Sequence, residues 1–206
     1  MTLNQTNWTE ATQAVEAAQS ILIVTHISPD GDAIGSALGL YNMLIKKCPS
    51  VTVAVDGGVP DFLEFLPHAD HIRPVLTDGE WDLMISTDAS DEERTGKAGE
   101  YGRAHSKTVI NLDHHATNTG FGDIYVVNPD VASAAEVVYQ WWKHTGYELD
   151  RNVAQPLLTG IVTDTIGFRT SAVKPGTLLA AQELMSHGAS LTQITALTLD
   201  FSKLDV

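Results

Sequence analysis

Four short β-branched runs, ILIVTH (21–26), VTVAVD (51–56), DLMISTD (82–88) and TVINLD (108–113), alternate with helical or polar segments over the first 115 residues. The runs show little strict polar/apolar alternation, as expected for parallel strands covered by helices on both faces. This predicts a doubly wound α/β fold with a mostly parallel sheet. An amphipathic helix is predicted first, with Trp8, Ala11, Val15 and Ala18 at helical spacing. A helix from about Ala33 to Lys47 and a short one at PDFLEFL (60–66) follow, and residues 89–107 read as a polar stretch. The second half is helical: 133–146, 150–165 and 174–189, with Gly146 and Gly188 as stops. No repeat and no linker rich in Pro, Gly or Ser divides the chain, so it reads as one α/β domain with a helical C-terminal part.

A length of 206 residues suffices for one domain with a substantial core. The net charge of −14 argues against a duplex-binding protein, which needs basic surface to displace counterions. It leaves room for a small phosphorylated substrate, because bound cations reverse the local sign in a pocket. Cys48 is the single cysteine, which removes intrachain disulfides and thiolate-rich metal sites. The N-terminus does not read as a secretory signal, and no run approaches the ~18 apolar residues of a membrane span. A reducing cytoplasm is the simplest expectation.

Ligand-type side chains recur where the strands end. His26, Asp30 and Asp32 follow the first run, Asp88 ends the third, and Asp113, His114 and His115 end the fourth. In open parallel sheets such ends share one crevice, so these groups should converge. Asp164 lies late in an apolar helix, where an unpaired carboxylate is costly to bury. Each piece has a plainer reading: SPDGD as a turn, Asp88 as a cap, His114 and His115 as a structural pair, and Asp164 as a partner of a backbone amide. Jointly they differ. Five carboxylates at one sheet edge without adjacent lysines repel strongly unless cations neutralise them. Imidazole and carboxylate without sulfur suit Mn²⁺ best, with Mg²⁺, Co²⁺, Fe²⁺ and Zn²⁺ as alternatives. The number of ligands suggests two ions, an arrangement suited to phosphoester hydrolysis through an acidified water.

These motifs resemble the DHH phosphoesterases. HISPDGDAIGS, the Asp after a strand, Asp-His-His and GIVTDTIGFRT occur in that family's order, from about residue 20 to 190. NPDVASAAEVVYQWW and GIVTDTIGFRTSAVKPGTLLAAQELMSHGA resemble its nanoRNase and pAp phosphatase branch. The resemblance implies that His26, Asp30 and Asp88 bind one ion, and that Asp32, Asp88, His114 and Asp164 bind the other, with Asp88 bridging. It implies that Asp113 orients a ligand histidine, and that His115 faces the substrate phosphate as donor or general acid. Arg169 is a candidate phosphate contact. Ser133, at a helix start, is a candidate phosphate donor or an N-cap. Ile166 departs from the Gly that many relatives carry after Asp-Thr, a change expected to act on packing. Relatives continue into a substrate-binding domain with a glycine-rich, histidine-containing motif not found in this chain. Residues 1–190 are therefore expected to form the DHH domain, and 191–206, ending FSKLDV, to open a connection to a second domain.

The implied activity is metal-dependent hydrolysis of small nucleotides, namely short single-stranded oligoribonucleotides or 3′-phosphoadenosine 5′-phosphate (pAp). Cyclic-di-AMP or linear dinucleotide phosphodiesterase is the alternative within enzymes. A nucleotide-binding module without turnover, or a metal site that only holds the sheet edge, are alternatives of other classes. Trp141 and Trp142, of which helical spacing turns only one squarely inward, are the single lead toward a homodimer contact.

Overall fold

The computed structural model describes residues 5–199. Its strands are β1 (Gln5–Thr6), β2 (Ser20–Val24), β3 (Ser50–Ala54), β4 (Ile72–Arg73), β5 (Trp81–Thr87), β6 (Ser106–Asp113) and β7 (Ile124–Val127). Its helices are α1 (Trp8–Ala17), α2 (Gly31–Leu44), α3 (Gly96–Ala104), α4 (Ala134–Thr145), α5 (Arg151–Asp164), α6 (Pro175–Ser186) and α7 (Leu191–Thr198). The sheet order is β1-β7-β6-β5-β2-β3-β4, and only β1 runs antiparallel to its neighbour. The chain leaves β2 for β3 and β4 on one side, then returns to β5, β6 and β7 on the other. The winding therefore reverses between β2 and β5, and a crevice opens beyond their carboxyl ends.

Burial on both faces explains the missing alternation in the strands. Ile21, Ile23, Leu83, Ile85, Ile110 and Leu112 join the large core with α1, α2 and α4, whereas Leu22, Val24, Met84 and Val109 form a smaller one with Ala98 of α3. Each fully buried Ile, Leu or Val contributes about 1.5–3 kcal/mol of transfer free energy, so shifting a central strand by one residue would exchange the two sets at high cost.

Helix α2 is buried along its whole length. It packs antiparallel to α5 through glycines four residues apart. A Cβ on Gly31 would lie 2.4 Å from Thr163, one on Gly35 2.6 Å from the Pro156 carbonyl oxygen, and one on Gly39 2.3 Å from Leu157. Missing side chains thus let the two backbones approach, which brings the start of α2 beside the end of α5.

Several expectations change. Strand β2 ends at Val24, and α2 runs 31–44 in place of 33–47 because Asp30 caps it. PDFLEFL contains only a single 3-10 turn, Asp61–Leu63. The polar stretch holds α3, which has little apolar periodicity because it lies on the sheet through Ala98 and Gly102. Residues 191–198 form α7, whose Ile194 is buried on the domain. FSKLDV lies outside the described residues. Trp141 is fully buried and bonds Thr12, while Trp142 is half-buried with its indole N–H on the Tyr147 carbonyl, so only one of the two points squarely inward, as helical spacing predicts.

Candidate metal centre

The chain leaves β2 and turns at once into the crevice. His26 is buried, and its Nδ1 lies 2.8 Å from the Ile27 carbonyl oxygen. A carbonyl only accepts, so Nδ1 carries the proton and Nε2 is left for a ligand. That Nε2 sits 3.5 Å from Asp88 Oδ2 and 3.9 Å from Asp30 Oδ1. Asp30 caps α2: its Oδ1 accepts from the amides of Asp32 and Ala33, both at 3.0 Å. SPDGD is therefore the N-cap of α2 and not a turn with Asp30 and Gly31 at its tip, and the carboxylate keeps its second oxygen.

Asp88 follows β5 at the point where the winding reverses. Its backbone N–H donates to the Leu112 carbonyl, and its φ of 55° is left-handed. Ser28, with φ 53°, is left-handed too, so two non-glycine residues of this crevice hold a sparsely populated conformation. The Asp88 side chain is buried between His26 on one side and His114 and His115 on the other, with His114 Nε2 3.6 Å and His115 Nδ1 3.7 Å from Oδ1. Among the described residues that Oδ1 has no hydrogen-bond partner. Burial would raise the Asp88 pKa, but the neighbouring imidazoles of His114 and His26 hold it well below the usual carboxylate range.

The opposite wall comes from α2, α4 and α5. Asp32 is 1% exposed, and its Oδ2 and Oδ1 accept from the Ala134 and Ala135 amides of α4 at 2.6 and 2.9 Å. A carboxylate here matches the positive end of that helix. Burial, followed by the charge of Asp88, nevertheless pushes the Asp32 carboxyl well above its ordinary range. Asp164, the last residue of α5, is raised for the same two reasons. Burial disfavours charge on His114, yet Asp88, Asp32 and Asp164 outweigh it and raise its pKa to about 10.

The structure thus brings all six expected ligands together, in two overlapping groups. Ligand atoms of His26, Asp30 and Asp88 lie within 4.8 Å of one another, as do those of Asp32, His114 and Asp164. Asp88 touches both groups, because its two oxygens face His26 and His114. The residues fit divalent cations: the donors are nitrogen and oxygen, among the described residues the buried Asp88 carboxylate has an oxygen without a donor, and two further carboxyls have their pKa raised by burial and by the charge of Asp88.

Two expectations, for Asp113 and Ser133, need correction. Asp113 does not orient a ligand histidine; its Oδ1 lies 2.8 Å from Nδ1 of His115, two residues further along the chain. The ring of His115 is 37% exposed and reaches solvent. Ser133 is fully buried and caps α4 through the Glu136 amide, while Asp32 takes the next two amides, so this helix start is closed to a phosphate. Arg169 is exposed and its Nε donates to the Ile166 carbonyl, which ties it to the turn after α5. In that turn Ile166, Gly167 and Phe168 have φ of 50°, 70° and 66°. Ile166 thus occupies a conformation suited to glycine, and a β-branched residue is strained there. Sequence reasoning missed Asn118, whose Nδ2 donates to Asp113 Oδ2 at 2.7 Å; the Asn-Thr-Gly turn was the available signal.

The fold has relatives among known proteins. A Thermus thermophilus protein named bifunctional oligoribonuclease and PAP phosphatase NrnA is 37% identical over 187 residues, covering 90% of this chain and 55% of that relative. The chain therefore spans about half the length of the curated relative it matches. The crystal structure of an exopolyphosphatase-related protein from Bacteroides fragilis superposes with a TM-score of 0.87 at 30% identity, over 96% of this chain and 61% of that one. The exonuclease RecJ, solved bound to manganese, shares the fold with a TM-score of 0.52 at 15% identity, over 89% of this chain and 48% of that one. The model of the DHH family, N-terminal domain, matches residues 20–161, and the chain belongs to that family.

Proposed function

We propose that this chain is a metal-dependent phosphohydrolase acting on small nucleotides, with short oligoribonucleotides and pAp as substrates. The observation that carries the reading is Asp88, buried where the winding reverses, between His26 and His114, with one oxygen lacking a donor. The substrate class is supported by the activities named for the Thermus thermophilus relative. Divalent ions, Mn²⁺ by the donor set, would be held by His26, Asp30 and Asp88 and by Asp32, His114 and Asp164, with Asp88 common to both. They would supply positive charge to the phosphoryl oxygens and acidify a water.

The chain's own residues supply the rest. The His26–Ile27 contact and the α4 amides on Asp32 fix ligands before any cation arrives, so little reorganisation is needed. His115, with Nδ1–H on Asp113, offers Nε2 as an acceptor to a water or, when protonated, as a donor to a phosphoryl oxygen or leaving group.

The test is nucleotide release from pAp, a 5′-phosphorylated RNA dinucleotide and cyclic-di-AMP, each with Mn²⁺ and with EDTA. AMP from pAp, or mononucleotides from the dinucleotide, in Mn²⁺ alone is the expected result. Protein shown to hold metal that binds these nucleotides without product would be a binding module, and the proposal would fall.

The same site makes metal binding pH-dependent. Without metal the His114 imidazole is protonated at neutral pH, since its pKa is raised to about 10. A ligand must be neutral, so binding expels that proton, and any held by Asp32 or Asp164. Affinity should rise with pH, by up to about tenfold per unit for each proton displaced, until the site is deprotonated. Calorimetry of Mg²⁺ or Mn²⁺ binding in buffers of different ionisation enthalpy reads this directly. Absence of proton release near neutrality would show either that the imidazole is not a ligand or that it is already neutral without metal.

A further inference from the structure

His115 is held by more than Asp113. Asp113 is fully buried and has both oxygens engaged: Oδ1 with His115 Nδ1 at 2.8 Å, and Oδ2 with Asn118 Nδ2 at 2.7 Å. Asn118 is itself buried. Its Nδ2 also faces Asn111 Oδ1 at 3.0 Å and the Ala89 carbonyl oxygen at 3.4 Å, while its Oδ1 accepts the Gly120 amide at 2.8 Å. This network fixes the amide orientation, because a flipped Asn118 would set its oxygen against three acceptors and its NH2 against the Gly120 amide. The Asn118 backbone N–H donates to the His115 carbonyl, and the next residue is pinned by the Thr119 amide to the Ser90 carbonyl. The loop that carries Asn118 is therefore anchored both to His115 and to the segment after Asp88.

We infer that Asn118 is a positioning residue of this site, acting through Asp113 to fix the tautomer and direction of the His115 ring. The buried carboxylate has one oxygen for the imidazole and depends on Asn118 for the other. Without that donor, Asp113 keeps an unpaired buried oxygen and is free to rotate toward any other donor. His115 then loses the partner that holds the proton on Nδ1, and the nitrogen offered to solvent becomes a mixture of donor and acceptor. Partners that orient metal-ligating histidines are worth about 10- to 100-fold in affinity or activity, and the same order is expected for a histidine that faces the reacting phosphate.

The inference rests on the proposed role of His115 for its kinetic arm, and on geometry alone for a spectroscopic one. Asn118→Ala is expected to lower kcat for pAp about 10- to 100-fold with KM and metal affinity unchanged. In a His115→Ala background the same substitution should cost nothing further. Long-range ¹H–¹⁵N spectra in Mg²⁺, recorded where the imidazole is neutral, should show His115 protonated on Nδ1 in the unaltered chain and mixed in the variant. Asn118→Ser takes the place of the alanine variant where melting shows the latter unfolded. An unchanged tautomer overturns the inference, as does an equal loss in the His115→Ala background. An inert unaltered chain instead sinks the proposed hydrolysis, and the spectra still decide the role of Asn118.

Discussion

Replacing Asp88 by asparagine is expected to lower Mn²⁺-dependent hydrolysis of pAp by about a thousandfold or more. Metal charge on a reacting phosphoryl group is worth several kcal/mol, and each 1.36 kcal/mol is a factor of ten in rate. Asp88 is the group whose oxygens face both candidate ion sites, so its loss strikes both at once. Asparagine is the informative substitution. It has nearly the same volume, and it tolerates the left-handed φ of 55° better than alanine would. The amide of residue 88 still donates to the Leu112 carbonyl, so the link between β5 and β6 is kept. What disappears is a buried negative charge between imidazoles. The check is a melt to establish folding, metal binding by calorimetry, and product release under saturating Mn²⁺. Full turnover by a folded Asp88→Asn chain would remove Asp88 from the bridging position.

Much of this site was legible because its chemistry falls where the fold must place it. A buried strand must end in a turn, and parallel strands end on the same side, so His26, Asp88 and Asp113 had to meet once four strands were recognised. What the sequence hides is which group faces which. Asp113 could be seen as an orienting carboxylate, but its choice of His115 over His114 depends on the chain's path after β6. Ser133 was ambiguous for a related reason. A helix start offers amides to any anion nearby, and only the tertiary structure shows that the anion is Asp32. Helix α3 escaped because glycine and alanine form its buried side, and those residues give no hydrophobic period.

The glycines of α2 and α5 carry the second large expectation, and they couple stability to chemistry. A Cβ on Gly160 would lie 2.6 Å from the Ala135 Cβ and 2.6 Å from Asp32 Oδ1. Neither neighbour is a flexible chain end. Ala135 belongs to the helix whose amides hold Asp32, and Asp32 is pinned by two of them. Gly160→Ala must therefore move a helix or displace the carboxylate. Overpacking of this kind costs typically 1–3 kcal/mol, against which the gain in helix propensity recovers up to about 1 kcal/mol. The melting temperature should fall by several degrees, at about 2–4 °C for each kcal/mol in a chain of this size. Metal affinity should fall at least about tenfold, as it does when a ligand's supporting contacts are lost. Gly176→Ala is the control: the nearest group to its Cβ would be Glu136 Oε1 at 4.0 Å, so it should be neutral or slightly stabilising and leave metal binding alone. A Gly160→Ala chain that melts and binds metal like the unaltered protein would mean that α5 can shift without disturbing Asp32, and that the glycine seam serves packing only. Loss of metal affinity larger than the loss of stability would mean the reverse. The close crossing of α2 and α5 would then exist to set a carboxylate against His114.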